Sequence, residues 1–111
     1  MYRTHVVNLD VHFFENPKIK LIRSKADGHA YLNFWIYLLT LGATAYSDDT
    51  IGGPDGNPFS VQDMSVISGF HPRIIQEALD IFEEFHMIVF VEGYIKLRNW
   101  KHYQLMEGYY D

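Results

Sequence analysis

The chain has no cysteine among its 111 residues, which excludes a disulfide framework and any zinc site built on thiolates. This composition is typical of a reducing compartment. The chain does not open with a basic segment followed by an apolar stretch, so no secretory signal is predicted. Cations are scarce as well, since nine Lys and Arg stand against fourteen Asp and Glu, for a net charge of −5. This balance argues against nucleic-acid binding by overall charge alone, because phosphate contacts require Lys and Arg.

Motifs for catalysis and for metal binding are also missing. The six histidines form no HExxH pair, and the chain has neither a glycine-rich phosphate loop nor a nucleophile elbow. The acidic loop at residues 47–58 lacks the glutamate that would close a calcium-binding EF-hand, so a solvated loop is the better interpretation. We therefore predict no enzyme activity, no metal and no cofactor.

The apolar run at residues 30–46, AYLNFWIYLLTLGATAY, is shorter than the roughly 20 residues that a membrane span needs. It contains Asn33, Thr40 and Thr44 and has no basic flanks, so we reject a membrane span. A helix that is apolar all round is normally buried, and we predict the central core helix here. An alternative is that its aromatic residues are exposed and pack against a second copy of the chain.

Two elements are predicted before this helix. Residues 5–12, HVVNLDVH, alternate apolar and polar residues and predict a short edge strand. Asn16 as N-cap and Pro17 at the first helical position then predict a helix over residues 18–24. Ile19 and Ile22 are expected on its inner face, which leaves the basic side chains of this segment in solvent.

Residues 59–87 organise the rest of the chain. Ser60 and Asp63 have the spacing of an acidic capping box, so a helix begins here, and Gly69 ends it. Pro72 begins a second helix. Two helices joined by a short glycine-containing turn indicate a helix-turn-helix, whose second helix can enter the DNA major groove. The apolar positions expected to face the core are Val61, Met64, Ile67, Ile75, Leu79, Phe82 and Phe85.

A β-hairpin is predicted directly after this unit. Residues 87–91 and 94–97 have strand composition and flank the turn Glu92-Gly93, and Ile51 could add a third short strand. A hairpin after a helix-turn-helix is the wing of a winged-helix domain. We therefore expect a mostly α (α+β) winged helix with a small antiparallel sheet at residues 1–98. Residues 99–111 are expected to form a C-terminal extension or the start of a linker.

The second helix of the helix-turn-helix is an unusual candidate for reading DNA, because its exposed face is acidic. Between residues 71 and 87 one arginine and four acids give a charge of −3. Only the first turn carries suitable groups, since Arg73 can pair with guanine and Gln76 with adenine, next to His71. DNA reading and a structural or protein-binding role both remain open for this helix.

Two basic clusters lie outside the helix-turn-helix, one at residues 18–25 and one at residues 96–101. They are either phosphate contacts or ordinary solvated charges. With the first turn of the second helix, they supply the candidate DNA-binding residues, which are His71, Arg73, Gln76, Lys96, Arg98, Lys101, Lys18 and Lys20.

Several segments carry a family resemblance, and they occur in the family's order along most of the chain. They are FFENPKIKLIR (residues 13–23), the Gly28 turn, the apolar helix at 30–41, PFSVQDMSVISGF (58–70), ALDIFEEFHMIVF (78–90) and NWKHYQ (99–104). Together they resemble the N-terminal winged-helix domain of phage replisome organisers, relatives of the DnaD-type primosome proteins. In this chain His86 stands where that family commonly has a glycine before the wing.

The resemblance implies initiation of phage or prophage DNA replication in the bacterial host cytoplasm, with no membrane association. It implies that the domain binds double-stranded origin DNA, self-associates, or does both, so that several copies nucleate a protein–DNA complex. The replicative helicase or its loader would be recruited through regions beyond this chain. The alternative is a DnaD-like oligomerisation module that does not itself bind DNA. A transcriptional repressor is a third possibility that the winged helix permits.

Overall fold

The computed structural model describes residues 7–44, 50–52 and 56–98 of the chain. After a 3-10 turn at Phe13–Glu15, four α-helices and three β-strands follow in the described residues. They are α1 (Pro17–Arg23), α2 (Gly28–Thr44), β1 (Thr50–Ile51), α3 (Val61–Ser68), α4 (Pro72–Glu84), β2 (Ile88–Val91) and β3 (Tyr94–Leu97). The order from α2 to β3 is that of a winged helix, with α1 packed in front of it, and the predicted fold class is confirmed.

The edge strand predicted at residues 5–12 is wrong for the residues that the structure describes. Residues 7–10 have no regular structure, and the main-chain N–H of His12 donates to the carboxylate of Asp10 (2.6 Å) in the turn that follows. An aspartate side chain that binds the main chain two residues later favours a turn over an extended strand. His5 lies outside the described residues.

Helix α1 is confirmed with its predicted cap. The side chain of Asn16 accepts a hydrogen bond from the main-chain N–H of Lys18, and Pro17 is the first helical residue. Ile19 and Ile22 are buried against α2. Gly28 is the first residue of α2, not a separate turn, and a Cβ atom there would lie 2.4 Å from the carbonyl oxygen of Arg23. The close approach of the two helices therefore requires a glycine.

The aromatic residues described on α2 belong to the core of the same molecule or pack against it, so the predicted central core helix is confirmed. Phe34 is fully buried and stacks on Phe82 of α4, with ring centroids 6.4 Å apart. Trp35 packs edge-on against the same ring at 5.1 Å, and Tyr37 contacts Phe70 at 5.9 Å. Helix α2 is covered by α4 on one side and by α1 on another, and only Trp35 and Tyr37 among these rings remain partly exposed. Among the described residues, no helix is long and apolar enough to cross a lipid bilayer.

The helix-turn-helix is confirmed at its caps. The hydroxyl of Ser60 accepts from the N–H of Asp63 (3.0 Å), and Gly69 ends α3 with φ +84°. Met64 is completely buried, but Ile67 is 53% exposed, contrary to the prediction. In a helix with 3.6 residues per turn, each step of three residues changes the direction of the side chain by about −60°. Ile67 therefore points about 120° away from Val61, outside the buried face.

The predicted hairpin of the wing and the third strand at Ile51 are confirmed. Strand β3 pairs antiparallel with β2 on one side and with β1 on the other, in the order β1-β3-β2. Glu92 and Gly93 both have positive φ, as a type I′ hairpin turn requires. His86 also has positive φ (+60°), so it adopts the left-handed conformation that a glycine would take more readily.

Candidate nucleic-acid interface

The guanidinium of Arg73, the predicted guanine reader, is held by two carboxylates. Its Nη1 donates to Glu77 Oε1 at 2.9 Å and to Asp27 Oδ2 at 3.2 Å. The hydroxyl of Tyr31 donates to the same Glu77 oxygen at 2.6 Å. The turn before α2, α2 itself and α4 therefore meet at this cation, because they carry Asp27, Tyr31 and Glu77 respectively.

The pKa shifts in this network favour a charged Arg73, a charged Glu77 and a neutral Tyr31 hydroxyl that donates to Glu77. The hydrogen bond from Tyr31 is the main reason that the pKa of Glu77 is lowered. The same hydrogen bond, together with burial, raises the pKa of Tyr31 to about 12. The hydrogen bonds to Asp27 and Glu77 raise the pKa of Arg73. At neutral pH the network thus holds an arginine cation between two carboxylates, and base contact would require Arg73 to leave both.

The other two candidates in the first turn of α4 also bond within the chain. His71 is the N-cap, and its Nδ1 accepts from the main-chain N–H of Arg73 at 3.0 Å. Gln76 donates from Nε2 to Asp80 Oδ1 at 3.0 Å. The structure brings His71, Arg73 and Gln76 together on an exposed helix start, as expected from their spacing, but each has a polar partner in the described part of the chain.

The basic side chains on α1 and on the wing have a different environment. Lys18, Lys20, Lys96 and Arg98 are all exposed, and none of their side-chain nitrogens has a hydrogen bond or ion pair to another residue described by the structure. Lys96 lies in the middle of β3, opposite Thr50 on one side and Val89 on the other. Lys101 lies outside the described residues.

A groove of about 440 Å³ joins the two basic clusters. Lys18 from α1 and Arg98 from the end of β3 both line it, although 80 residues separate them in the sequence. Its lining also includes apolar and half-buried core residues, namely Ile19, Trp35, Leu39, Met87 and Leu97. We name Lys18 and Arg98 the groove cations.

The groove also contains acidic groups, and these are bonded. Asp10 accepts from the main-chain N–H of His12 at 2.6 Å, and Glu15 contacts His12 Nδ1 at 2.7 Å. The groove cations have no such partner among the described residues. An anion that approaches the groove cations therefore breaks no side-chain contact of theirs in the described part of the chain, although the two carboxylates remain nearby.

The tyrosine and the two carboxylates around Arg73 are the residues that sequence reasoning missed. The spacing of Arg73 and Glu77, i and i+4 on one helix, could have indicated their ion pair. Nothing local indicates Asp27 or Tyr31, since both bond to residues 46 positions away. Among the described residues no group of three or more His, Asp or Glu side chains is placed to hold a metal ion.

Comparison with known proteins gives one match. A family model described as the N-terminal phage replisome organiser matches residues 6–110, nearly the whole chain. The matched region includes the helix-turn-helix, the wing and both basic clusters. No curated protein and no solved structure matches the chain.

Proposed function

Because this chain belongs to the N-terminal phage replisome organiser family, a non-catalytic organiser of phage DNA replication, we propose that it binds duplex DNA at the phage origin through its phosphate backbone. The contacts come from the groove cations, Lys18 and Arg98, with Lys20 and Lys96 beside them. The protein acts in the cytoplasm of the bacterial host, and its helicase or helicase-loader partners bind through regions beyond this chain.

The observation that carries this proposal is that Arg73 is paired with two carboxylates, whereas the side chains of the groove cations have no partner among the described residues. A phosphate that approaches Arg73 must displace two carboxylates, which costs the bonds they make. A phosphate that approaches Lys18 or Arg98 displaces only water and counterions. Because release of counterions is the main source of non-specific DNA affinity, unpaired cations contribute more than paired ones.

The acidic face of α4 limits how this winged helix can dock on DNA. Asp80, Glu83 and Glu84 are exposed on the helix that would enter the major groove, and they oppose phosphate. Base reading by His71, Arg73 and Gln76 is therefore the weaker part of the original hypothesis. We propose that α4 contributes at most its first turn, and that sequence preference is correspondingly low.

Binding of a labelled duplex as a function of salt tests the proposal. Four phosphate contacts predict a slope of about −3 to −4 for the logarithm of the association constant against the logarithm of the salt concentration. Absence of binding at low salt, or binding that does not change with salt, contradicts it.

Self-association is the second candidate function. It is favoured by apolar side chains that remain exposed on the folded chain, among them Phe90 and Val91 of β2, which are 38% and 47% exposed. A stable oligomer without DNA affinity would support the scaffold in place of the DNA-binding protein. The two functions are compatible, since several copies on one origin would require both.

A further inference from the structure

We propose that strand β2 pairs with β2 of a second copy, antiparallel and about a two-fold axis at Val89, so that two three-stranded sheets join into one of six strands. This inference rests on the self-association candidate above and does not depend on DNA binding. The surface it assigns is the outer edge of the wing.

The free hydrogen-bonding groups of β2 follow from its register with β3. The main-chain N–H of Arg98 donates to the carbonyl of Met87 at 3.0 Å, and the strand pairs continue Val89 with Lys96 and Val91 with Tyr94. In an antiparallel ladder only alternate residues exchange bonds with a given neighbour. The N–H and C=O groups of Ile88 and Phe90 therefore point away from β3, and in the described part of the chain no strand pairs with them.

The composition of β2 makes this edge unusual. Its four residues, Ile-Val-Phe-Val, carry no charge and have high strand propensity. Exposed edges are normally protected against pairing by lysine, proline or a bulge, and β2 has none of these. Phe90 and Val91 also keep apolar surface in solvent that a neighbouring strand would cover.

The two-fold register is limited by which residues face outward. Ile88 must pair with an outward residue of the partner, because the main-chain groups of Val89 and Val91 already bond to β3. Pairing Ile88 with the partner's Ile88, or Phe90 with the partner's Phe90, also joins outward residues. Only the pairing of Ile88 with the partner's Phe90, which places Val89 on the axis, uses the outward groups of both residues in each copy. That register joins residues 87–91 of each copy, which include all of β2.

Polar groups at the ends of the paired strands favour a second copy of this chain as the occupant, because an imidazole N–H of His86 can donate a hydrogen bond to the carboxylate of the partner's Glu92. The register continues so that Glu92 lies beside the partner's His86, and the symmetry repeats this contact at the other end. Both side chains are exposed in the single chain. The two copies of Lys96 would be three strand spacings apart, about 14 Å, which is beyond the Debye length of about 8 Å at physiological salt.

Pairing would also place Lys96 of both copies on the same face of the joined sheet. Side chains on neighbouring strands point to the same face at paired positions, and Val89 is paired with Lys96. The dimer would thus present the wing cations of two copies to one duplex.

Sedimentation and amide hydrogen exchange on the 111-residue chain test the pairing. We expect the mass to rise from one chain to two with concentration. The amides of Ile88 and Phe90 should become protected in the same concentration range, while those of Val89 and Val91 are protected throughout by β3. A chain that stays monomeric at several hundred micromolar, or a dimer in which the amides of residues 88 and 90 still exchange freely, overturns the proposal.

Variants separate edge pairing from other contacts. Phe90→Pro removes an outward N–H but no bond to β3, a position at which an edge strand tolerates proline, so it should abolish the dimer. Phe90→Val keeps the N–H and strand propensity and should retain it. Glu92→Lys should weaken the dimer, whereas Glu83→Lys makes the same charge change on α4 and should not. Circular dichroism checks that each variant is folded.

Two further outcomes are informative. A dimer that survives both Phe90→Pro and Glu92→Lys in folded protein contradicts the β2 interface and indicates another surface. DNA binding is measured on the same proteins. If β2 pairing is found but DNA affinity is absent, only the DNA proposal fails. If the unchanged chain binds DNA but stays monomeric, only the pairing proposal fails.

Discussion

The start of α4 and the groove between α1 and the wing both carry cations that are predicted DNA contacts from the sequence. In the folded chain these cations differ in whether they are paired with carboxylates. At the start of α4, Arg73 lies between Asp27 and Glu77 and is part of the packing of three elements. At the groove, Lys18 and Arg98 extend into solvent without a partner among the described residues. The comparison shows that the position of a cation on a helix-turn-helix does not by itself make it available to DNA.

The difference has a physical basis in what each cation does for the folded chain. The Arg73 network links α4 to the residues that begin α2, and the Tyr31 hydroxyl that supports it is buried. Its hydrogen bonds therefore contribute to folding. The groove cations lie at the ends of their elements over an apolar floor, where their charge stabilises no described contact. We therefore assign Arg73 a structural role and propose the DNA-contacting role for the groove cations.

The largest effect is expected from reversing both groove cations. In Lys18→Glu/Arg98→Glu, the loss of two phosphate contacts should lower duplex affinity about 25-fold at 0.15 M salt, since each contact contributes about fivefold there. Fluorescence anisotropy with a labelled duplex measures it. For the single change Lys18→Glu, the matched control is Lys25→Glu, which makes the same charge change at an exposed residue that does not line the groove. Equal losses in these two variants would indicate an effect of net charge only.

A smaller effect, on stability, is expected in the α4 region. Tyr31→Phe removes the hydroxyl that donates to Glu77 and should lower the free energy of unfolding by about 1 kcal/mol, which is about 5 °C in melting temperature. Thermal unfolding followed by circular dichroism measures the change. Tyr37→Phe is the control, because no hydrogen bond of its hydroxyl to a described residue is found. If both variants melt alike, the network around Arg73 contributes little to folding.

The smallest effect is expected on DNA binding when Arg73 is changed. Arg73→Gln should alter duplex affinity by no more than about twofold, because the guanidinium is already neutralised by two carboxylates. The melting temperature should fall, since Asp27 and Glu77 lose their shared cation. A loss of affinity as large as that of the groove variant would show that α4 contacts DNA. It would contradict the conclusion that ion pairing makes Arg73 unavailable.

Sequence reasoning succeeded where the signal is local. The caps at Asn16 and Ser60, the proline at the start of α4 and the glycine after α3 define helix ends within a few residues. The Glu92-Gly93 turn defines the hairpin. It failed where the position of a residue depends on contacts with residues that are distant in the sequence. The N-terminal strand was predicted from the alternation of apolar and polar residues, but Asp10 and His12 in that segment form a turn. Ile67 was assigned to the buried face of α3, but it lies beyond the edge of that face. The domain boundary at residue 98 stays a prediction.

By itself, the sequence determined the order of elements, their ends and the family to which the chain belongs, because these depend on residues close together in the chain. Only the tertiary structure decided which cations are paired, which rings the aromatic side chains of α2 contact, and that Lys18 and Arg98 share one groove. Ion pairs and grooves form between residues that are distant in sequence, and no local pattern records which acid reaches a given arginine. The availability of each cation for DNA is therefore a property of the fold.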